Sequence, residues 1–389
     1  MRIAHFSWES LHSISVGGIS PVVTELAAAQ ERKGHEVHVF TRIGQGQSKY
    51  EKIDGVHYHR CPFAFNHELF QEMHNMCKSM TDSFFACEDY SGKFDILHGH
   101  DWHTVSALDE IKKSRKRNII WTCHASQFGR DGNRFNNGPA EAIRNLEWYG
   151  TYISDIVTTC TETMKKEVQW LYRVPGEKMK VVHNGINPNT FNNHVNPGEI
   201  KEGIGIGAMD PTVVFIGRIT TQHGPDILVE SIPSVLRNAP NAKFVFIGDG
   251  NMKPGLEKRV NDLGVSNAVR FTGWISDKNR KEELLKCADV MCDPSRSQPF
   301  GVVVLETWAC NKPVIATHGT GGGELVWHDV TGLKVYNNPN SIKWGINEIF
   351  SDFDKAKWMG ENGRKATEEN FGWDNIANRM LNVYEETIE

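Results

Sequence analysis

The chain has 389 residues, of which 39% are hydrophobic and 23% are charged, a balance typical of globular proteins. So long a chain predicts two domains, because one hydrophobic core seldom serves more than about 250–300 residues. The net charge of -5 argues against nucleic acid as a partner. No apolar run approaches the roughly 20 residues that span a bilayer, so we expect no transmembrane segment, and peripheral membrane contact stays open.

The eight cysteines are scattered, and no two form a C-x-x-C pair. This favours free thiols over disulfides or a zinc site. The chain opens on an apolar stretch too short for a signal peptide. The predicted location is therefore cytoplasmic.

In the first half of the chain, short apolar runs alternate with amphipathic stretches. The pattern predicts a strand, a helix and five further strands at Arg2–Phe6, Gly18–Lys33, Glu36–Thr41, Ile96–His98, Ile119–Thr122, Ile156–Thr159 and Lys180–Val182. Alternation of this kind is typical of a parallel, doubly wound sheet.

Between Asn184 and Asp210 the chain is rich in Asn, Pro and Gly, which predicts an interdomain linker. A second alternating series follows, with predicted strands Thr212–Ile216, Lys243–Ile247, Ala268–Thr272, Val290–Asp293, Pro313–Ala316 and Leu333–Val335. Its closing helices are predicted at Ile342–Phe350, Asp354–Asn370 and Trp373–Glu386. The expected architecture is α/β, with two doubly wound, Rossmann-like domains facing a cleft beyond the carboxyl ends of their strands.

The segment from Asp293 to Glu306 offers the strongest site pattern. A predicted strand ends at Asp293, and a polar loop leads to a helix with Gly301 in its first turn. Free N–H groups and the helix dipole at such a position favour an anion. A carboxylate at Glu306 suits the two hydroxyls of a ribose. By itself the segment fits an ordinary strand-to-helix connection equally well.

Two further predicted strand ends carry related chemistry. Small residues follow His318, ending in Gly321-Gly322-Gly323, and they predict a flexible rim rich in backbone groups for a diphosphate or hexose. Arg218 follows another strand, where its permanent charge suits phosphates. The simpler interpretations are turn-forming glycines and a surface ion pair, and three such strand ends together favour the site.

These motifs resemble the retaining glycosyltransferases of the GT-B fold (group 1, family 4), especially the glycogen-synthase-like branch. Arg218 with Gly224, the Ser295–Glu306 segment and the glycine rim carry the resemblance in the second half. Ser13–Ser20, the Asp95-to-His103 segment (D-x-x-H-x-H-D-W) and Asn184-Gly185-Ile186 carry it in the first. The resemblance spans the whole chain and implies domains at 1–190 (acceptor side) and 191–370 (nucleotide sugar), with a helix at 371–389 crossing back to the first.

The resemblance also implies roles for individual residues. His124 falls where the family has a histidine near the transferring carbon, although a simple loop residue would look the same. The residues implied in catalysis are His124, Arg218, His223 and Gln298. Those implied in donor binding are Gly17, Gly18, Arg218, Phe300, Gly301, Val302 and Glu306. Those expected on the acceptor side are Asp101, His103 and Arg130.

Two positions depart from the family pattern. Gln298 stands where the family has the first Glu of its E-x(7)-E motif, and it cannot place a negative charge against an oxocarbenium ion. His223 stands where the family has Lys. Neutral histidine near pH 7 predicts activity that rises as the pH falls from about 8 to 6.

His98, His100 and His103 raise the alternative of a metal site, since i and i+2 share a strand face. No carboxylate cluster accompanies them, and the family typically works without metal. We therefore expect no metal and no resident cofactor, only a nucleoside-diphosphate sugar as donor substrate.

The predicted function is transfer of a hexose, with glucose favoured, from that donor to an acceptor hydroxyl with retention, on an α-glucan in the leading version. The alternatives are a mannosyl or other hexosyl transferase acting on a lipid or small glycoside, a nucleotide-sugar epimerase or phosphorylase-like enzyme, and a non-catalytic sugar-nucleotide-binding protein. The nucleotide, linkage and oligomeric state stay open.

Overall fold

The computed structural model describes residues 1–388, which form two compact units. The first unit comprises Met1–Gly185 and the C-terminal helix from Trp373, and the second comprises Ile186–Gly372. The sequence placed these borders after residues 190 and 370. No helix within residues 1–388 is long and apolar enough to cross a membrane.

The first unit is built on an eight-stranded sheet. Its elements, in chain order, are β1 (Arg2–Phe6), α1 (Ile19–Arg32), β2 (Glu36–Arg42), β3 (Tyr50–Ile53), β4 (Val56–Cys61), α2 (Leu69–Ser91), β5 (Ile96–His100), α3 (Val105–Arg115), β6 (Asn118–Cys123), α4 (Gln127–Arg130), α5 (Pro139–Ile153), β7 (Ile156–Thr159), α6 (Glu162–Tyr172) and β8 (Met179–Val181). The strand order is β3-β4-β2-β1-β5-β6-β7-β8. Every pair is parallel except β3 with β4.

The hairpin of β3 and β4 has no counterpart in the sequence prediction. Its turn, Asp54-Gly55, has positive φ at both residues, 49° and 79°, as a two-residue hairpin turn requires. The strand β3 is mostly exposed, so it lacks the buried apolar run by which the other strands were predicted.

The second unit is built on a six-stranded sheet whose pairs are all parallel. Its elements are α7 (Pro197–Gly203), β9 (Thr212–Ile216), α8 (Pro225–Leu236), β10 (Lys243–Ile247), α9 (Lys253–Asp262), β11 (Val269–Gly273), α10 (Lys278–Cys287), β12 (Val290–Asp293), α11 (Val302–Ala309), β13 (Val314–Thr317), α12 (Gly321–Leu325), β14 (Gly332–Val335), α13 (Pro339–Ser351) and α14 (Phe353–Asn370). The order β11-β10-β9-β12-β13-β14 is that of a dinucleotide-binding sheet, whose strand order reverses between β9 and β12.

The predicted linker at 184–210 is largely an ordered part of the second unit. Asn196 caps α7 by accepting from the Gly198 N–H, and Pro197 occupies its first turn, an arrangement that starts helices. Lys201 forms an ion pair with Asp289 (3.1 Å), and Ile206 is buried in the core. The border between the units, after Gly185, lies within the predicted linker, but the Asn-Pro-Gly pattern at 196–198 marks a helix start, so the prediction was too long.

The last helix, α15 (Trp373–Ile388), packs within the first unit. Its buried face, including Trp373, Ile376 and Tyr384, joins the cluster formed by α1 and the central strands. Arg32 of α1 pairs with Asp374 at 2.7 Å. The core of the first unit is therefore completed by the end of the chain.

Candidate functional site

Three strand ends meet at the switch point of the second sheet. Because β9 pairs with β12 and β12 with β13, the connections that follow them are neighbours. The Arg296 N–H donates to the Gln222 carbonyl at 2.8 Å, which joins the loop after β12 to the loop after β9. Gly224 packs so tightly on this loop that an added Cβ would lie 2.2 Å from the Pro294 oxygen. The sheet thus holds the predicted donor-binding loops together.

Arg218 is an exposed cation at this switch point. Its guanidinium forms no hydrogen bond or ion pair with any of residues 1–388, whereas the neighbouring Arg296 is held by Asp226 and by the Thr221 carbonyl. The predicted alternative, a surface ion pair, is therefore absent from the described chain. A permanent, unpaired charge at this position suits a bound anion.

His223 lies near Arg218 and is partly buried. Burial, and then the charge of Arg218, lower the pKa of His223 to about 4. The side chain is therefore neutral at pH 7 in the free chain. The pH range in which His223 gains its proton lies below the range of about 8 to 6 that the sequence predicted.

We expect the pH dependence of nucleoside-diphosphate binding to reflect this lowered pKa. Because the pKa of His223 is about 4, the wild-type affinity relative to His223→Gln should be flat from pH 8 to 6. A diphosphate raises the pKa of a nearby histidine, so this affinity ratio should rise as the pH falls further. His223→Lys carries its charge throughout and should bind about tenfold tighter at pH 8, the equivalent of one charge-assisted hydrogen bond. Isothermal titration from pH 5 to 8 measures both. A wild-type-to-glutamine ratio that changes between pH 8 and 6 contradicts this assignment.

The helix α11 follows the loop that leaves β12. Gly301 precedes it in the left-handed conformation (φ 93°), which favours glycine. Phe300 is buried and Val302 is partly exposed. The first N–H groups of a helix lack intrahelical partners, so the start of α11 has the donors that the predicted anion site needs.

Glu306 lies one turn further along α11 and is paired with a residue that the sequence did not indicate. The Lys281 ammonium, from α10, lies 2.6 Å from Glu306 Oε1. The ammonium engages one oxygen of this mostly buried side chain, and the second oxygen remains an acceptor for a hydroxyl. No motif marks Lys281, because its relation to Glu306 depends on the packing of α10 beside α11.

The glycines after His318 form a packed helix start in place of the predicted flexible rim. Gly321, Gly322 and Gly323 are buried, and Thr320 caps α12 by accepting from the Gly323 N–H at 3.1 Å. A Cβ at Gly321 would lie 2.2 Å from the Pro299 oxygen, and one at Gly323 would lie 2.1 Å from the Thr317 oxygen. These glycines are needed for close backbone packing, and the prediction of flexibility was wrong.

Gln298 belongs to the same packed region. Its carbonyl accepts from the Gly321 N–H at 2.6 Å, and its side chain is partly exposed. Asp293, five residues earlier, is buried and has an unpaired Oδ2, and burial raises its pKa. Hydrogen bonds from Ser295 and from the Gln298 side chain act against burial on this pKa.

In the first unit, His124 follows β6 and is fixed from two sides. Its backbone N–H donates to Asp101 Oδ1 at 2.7 Å, and its Nε2 lies 2.9 Å from His100 Nδ1. Its Nδ1 has no hydrogen-bond partner among residues 1–388. A pocket of about 270 Å³, including the part open to solvent, is lined by Val22, Leu26, His98, His100, Thr122, His124, Val182, His183, Asn184, Trp373, Ile376 and Met380.

A buried chain of histidines runs inward from His124. Gln30 Oε1 lies 2.7 Å from His5 Nε2, and His5 Nδ1 lies 3.1 Å from His100 Nε2. An amide oxygen only accepts, so His5 is protonated on Nε2, and it accepts from His100 through Nδ1. By the same step His100 accepts from His124. The network therefore holds His124 as the Nε2–H tautomer with the Nδ1 lone pair free.

The three histidines of this hydrogen-bonded series, His5, His100 and His124, are neutral at pH 7. Burial lowers the pKa of His5 to about 4 and that of His100 well below its ordinary value, and burial also lowers the pKa of His124. The Gln30 amide in turn donates to Tyr384 of α15 at 3.1 Å, and Tyr384 contacts His98 Nδ1 at 2.6 Å. The C-terminal helix is therefore part of the network that orients His124.

Asp101, Arg130 and His103 are held within the protein. Asp101 is only 1% exposed, and it pairs with Arg130 at 2.6 Å. Burial is the largest single influence and opposes ionisation, but the charge of Arg130, the nearby His124 and His103, and the His124 N–H together lower the pKa of Asp101. His103 is buried and stacks on Trp8 and Trp102, with ring centroids 4.3 and 4.0 Å apart. Asp101 and His103 thus shape the loop after β5, and their expected position on the acceptor side stays a prediction.

Arg130 also approaches Glu147, which sequence analysis missed. Their side chains lie 3.7 Å apart, and Glu147 accepts from the Gln127 N–H at 2.9 Å and from the Tyr172 hydroxyl. Burial raises the pKa of Glu147 to about 7. The loop carrying Arg130 is therefore anchored on a carboxylate that titrates near neutrality.

The glycine loop at 13–20 already binds an anion from the chain itself. The buried Glu9 carboxylate accepts from the N–H groups of Val16 and Gly17, both at 2.6 Å, and from Ile19 at 3.2 Å. The Gly17 N–H is therefore occupied in this structure. Gly18 is exposed, with no atom within 4 Å of an added Cβ. The loop N–H groups at Val16, Gly17 and Ile19 are thus taken by Glu9, and the role of Gly17 and Gly18 in donor binding stays a prediction.

His98, His100 and His103 do not converge as the metal alternative required. His5 takes the place of His103 in the cluster, since His5, His98 and His100 bring ligand atoms within 4.8 Å of one another. Their ring nitrogens are already engaged by Gln30, Tyr384, Thr122, His124 and one another. This cluster is a hydrogen-bonded core.

Solved structures with the same architecture define the class of protein. Sucrose-phosphate synthase from Thermosynechococcus elongatus superposes with a TM-score of 0.79 at 21% identity, covering 99% of this chain and 98% of that chain. The catalytic domain of starch synthase IV from Arabidopsis thaliana, bound to ADP and acarbose, gives a TM-score of 0.77 at 17% identity, covering 99% of both chains. The two Rossmann-like units therefore have the GT-B fold of glycosyltransferases.

Sequence comparison then gives the family. A family model described as Glycosyltransferase Family 4 matches residues 16–190, and one described as Glycosyl transferases group 1 matches residues 198–366. An uncharacterised glycosyltransferase of Methanocaldococcus jannaschii is 34% identical over 402 aligned residues, covering 100% of this chain and 99% of that protein. Glycogen synthase of Mycobacterium tuberculosis is 23% identical, covering 99% and 94%. The chain belongs to the group 1, family 4 glycosyltransferases.

Proposed function

We propose that this glycosyltransferase moves a hexosyl group, with glucose favoured, from a nucleoside-diphosphate sugar to an acceptor hydroxyl with retention, and that the acceptor is an α-glucan. The observation that carries the proposal is Arg218. It is an exposed guanidinium without a partner among residues 1–388, at the switch point where such sheets bind nucleotides. The start of α11 and the Glu306 carboxylate complete a set suited to diphosphate and ribose.

In the proposed step, the bond between the anomeric carbon and the donor phosphate oxygen breaks, and its electron pair leaves with the nucleoside diphosphate. The acceptor oxygen bonds to the anomeric carbon on the same face and gives its proton to the departing phosphate. Arg218 and the N–H groups of α11 stabilise the developing phosphate charge, the kind of contribution that is often the largest in catalysis. No cofactor or metal is required for this transfer.

His124 is proposed to contact the transferred sugar. Its network leaves the Nδ1 lone pair free, so the ring accepts a hydrogen bond from a sugar hydroxyl without itself donating through that atom. This suits the role that the family resemblance implies for a histidine near the transferring carbon. Asp101 and Arg130 act as positioning residues, since they hold the backbone of His124 and the loop behind it.

Two observations favour a second candidate, a sugar-nucleotide-binding protein without turnover. Gln298 replaces a carboxylate, and His223 is neutral at pH 7. Both changes should weaken the transfer step more than they weaken donor binding, because the cation at Arg218 and the N–H donors of α11 are retained.

The test begins with a thermal-shift screen of ADP, UDP, GDP and their glucose and mannose derivatives, since a ligand that binds the native state raises the midpoint. The donor that gives the largest shift is then incubated with and without glucan, lipid and small-glycoside acceptors, and early products are read by proton NMR. We expect an α-glycoside from an α-linked donor. An epimerised donor without acceptor, or binding without any turnover, replaces the proposal with the corresponding alternative. The absence of any shift overturns it.

A further inference from the structure

Three side chains at one side of the first sheet bring metal-ligating atoms together. His38 lies on β2, His59 on β4 and Cys87 on α2, which packs over these strands. His38 Nδ1 lies 2.9 Å from His59 Nε2, and Cys87 Sγ lies 3.7 Å from the first and 3.8 Å from the second. The three atoms form a compact triangle of two imidazole nitrogens and one sulfur.

This triangle is close to the ligand spacing of zinc. Zinc bonds of about 2.0–2.1 Å to nitrogen and about 2.3 Å to sulfur, at tetrahedral angles, place two nitrogens about 3.3 Å apart and nitrogen about 3.6 Å from sulfur. The two S···N distances already agree within about 0.2 Å. The N···N distance must widen by about 0.4 Å, which small rotations of two imidazole rings supply.

Glu36 fixes His38 in the tautomer that a metal requires. Its Oε1 lies 3.0 Å from His38 Nε2. Arg2 Nε also donates to this oxygen, at 2.9 Å, and a carboxylate oxygen accepts, so His38 Nε2 carries the proton. The lone pair of His38 is therefore on Nδ1, facing His59 and Cys87. A carboxylate behind a histidine ligand is the usual outer support of a zinc site.

The surroundings also suit a bound cation. The positive charge of Arg2 is paired with Glu36 at 2.9 Å. His59 and Cys87 are partly exposed, which leaves solvent access to a fourth position. Zinc would replace one hydrogen bond here, between His59 Nε2 and His38 Nδ1, whereas in the His5 cluster both nitrogens of every ring are engaged.

We propose that His38 Nδ1, His59 Nε2 and Cys87 Sγ bind one zinc ion, with water in the fourth position and Glu36 as the outer support. On binding, the thiol releases its proton to solvent, and the proton of His59 moves to Nδ1. The ion ties α2 to β2 and β4. This site is separate from the proposed transferase residues, and it departs from the sequence prediction of free thiols without zinc.

The test measures zinc affinity of the full chain, after chelator treatment, by competition with a chromophoric chelator. We expect one zinc per wild-type chain and a loss of at least about tenfold in affinity for Cys87→Ser and His59→Gln. Glu36→Gln should lose about 10–100-fold, as outer partners of metal ligands do. His74→Gln, on the exposed side of α2, is the matched control and should bind as wild type. Substitution with Co²⁺ should give a thiolate charge-transfer band that Cys87→Ser lacks.

A second measurement needs no variant. Cys87 is the one cysteine in residues 1–388 that is not buried, so alkylation of the native protein reports on it. Zinc should slow that alkylation at least tenfold, and mass spectrometry of peptides assigns the label. Absence of binding by wild type in excess zinc, zinc retained by Cys87→Ser, or unprotected Cys87 overturns the proposal.

Discussion

Replacing Arg218 with alanine is expected to lower kcat/KM for the nucleotide-sugar donor by about 100- to 1000-fold, the usual loss when one donor to a developing anion is removed. Arg218 is exposed and unpaired within residues 1–388, so its loss breaks no internal contact and the fold should be unaffected. The charge on the departing diphosphate grows as the glycosidic bond breaks. We therefore expect kcat to fall along with donor affinity.

Two variants separate this role from a general change in charge. Arg218→Lys keeps the charge but loses the planar fork that fits a phosphate, so it should recover part of the activity. Arg237→Ala removes an exposed arginine at the end of α8 and should retain full activity. Steady-state kinetics and thermal midpoints of all three are compared with wild type. Unchanged kcat/KM in Arg218→Ala would show that the diphosphate binds elsewhere.

The strands of both units follow from the sequence because most are buried apolar runs. Val290–Asp293 and Thr212–Ile216, for example, are strands with the predicted bounds. Tyr50–Ile53 was missed because a mostly exposed edge strand carries no such run. The linker prediction was too long because Asn196-Pro197 reads as a loop in composition, although the same pair caps and starts α7.

In the candidate site, too, some residues could be predicted from the sequence and others could not. Arg218 and Gly301 follow strands, and the end of a parallel strand is where ligands are expected, so local sequence suffices. The glycines of α12 are needed for backbone contact with Pro299 and Thr317. The sequence alone does not distinguish this packing role from the predicted flexible rim. Lys281 and Glu9 could not be predicted, because each acts on a partner brought near only by packing.

The network behind His124 is the clearest case of information outside any motif. It joins His5 on β1, His100 on β5 and Tyr384 on α15, and the link from His98 to Tyr384 spans 286 positions of the chain. A histidine alternating with apolar residues in a strand is ordinarily explained as core. Only the order β1-β5-β6 shows that these side chains are consecutive members of one hydrogen-bonded series.

Two substitutions test His124 and the network behind it, and both are expected to reduce transfer. His124→Ala removes the proposed hydrogen bond to the sugar and should lower kcat/KM about 10- to 100-fold, the equivalent of about 1–3 kcal/mol for an unsatisfied polar group. Gln30→Met removes the acceptor that sets the tautomer of His5 and, through His100, of His124. We expect a smaller loss, about tenfold, because His124 then populates both neutral tautomers.

Nitrogen-15 NMR of the histidine rings distinguishes this effect from a loss of stability. Wild type should show His124 protonated on Nε2, and Gln30→Met should show a mixture, whereas Gln30→Glu keeps an acceptor oxygen towards His5 and should restore both the tautomer and the rate. Gln47→Met, a partly buried glutamine of the same unit outside the network, should change neither. If Gln30→Met loses activity while the His124 tautomer stays wild-type, Gln30 supports the fold only, and the hydrogen-bonded series has no part in orienting His124 for the sugar.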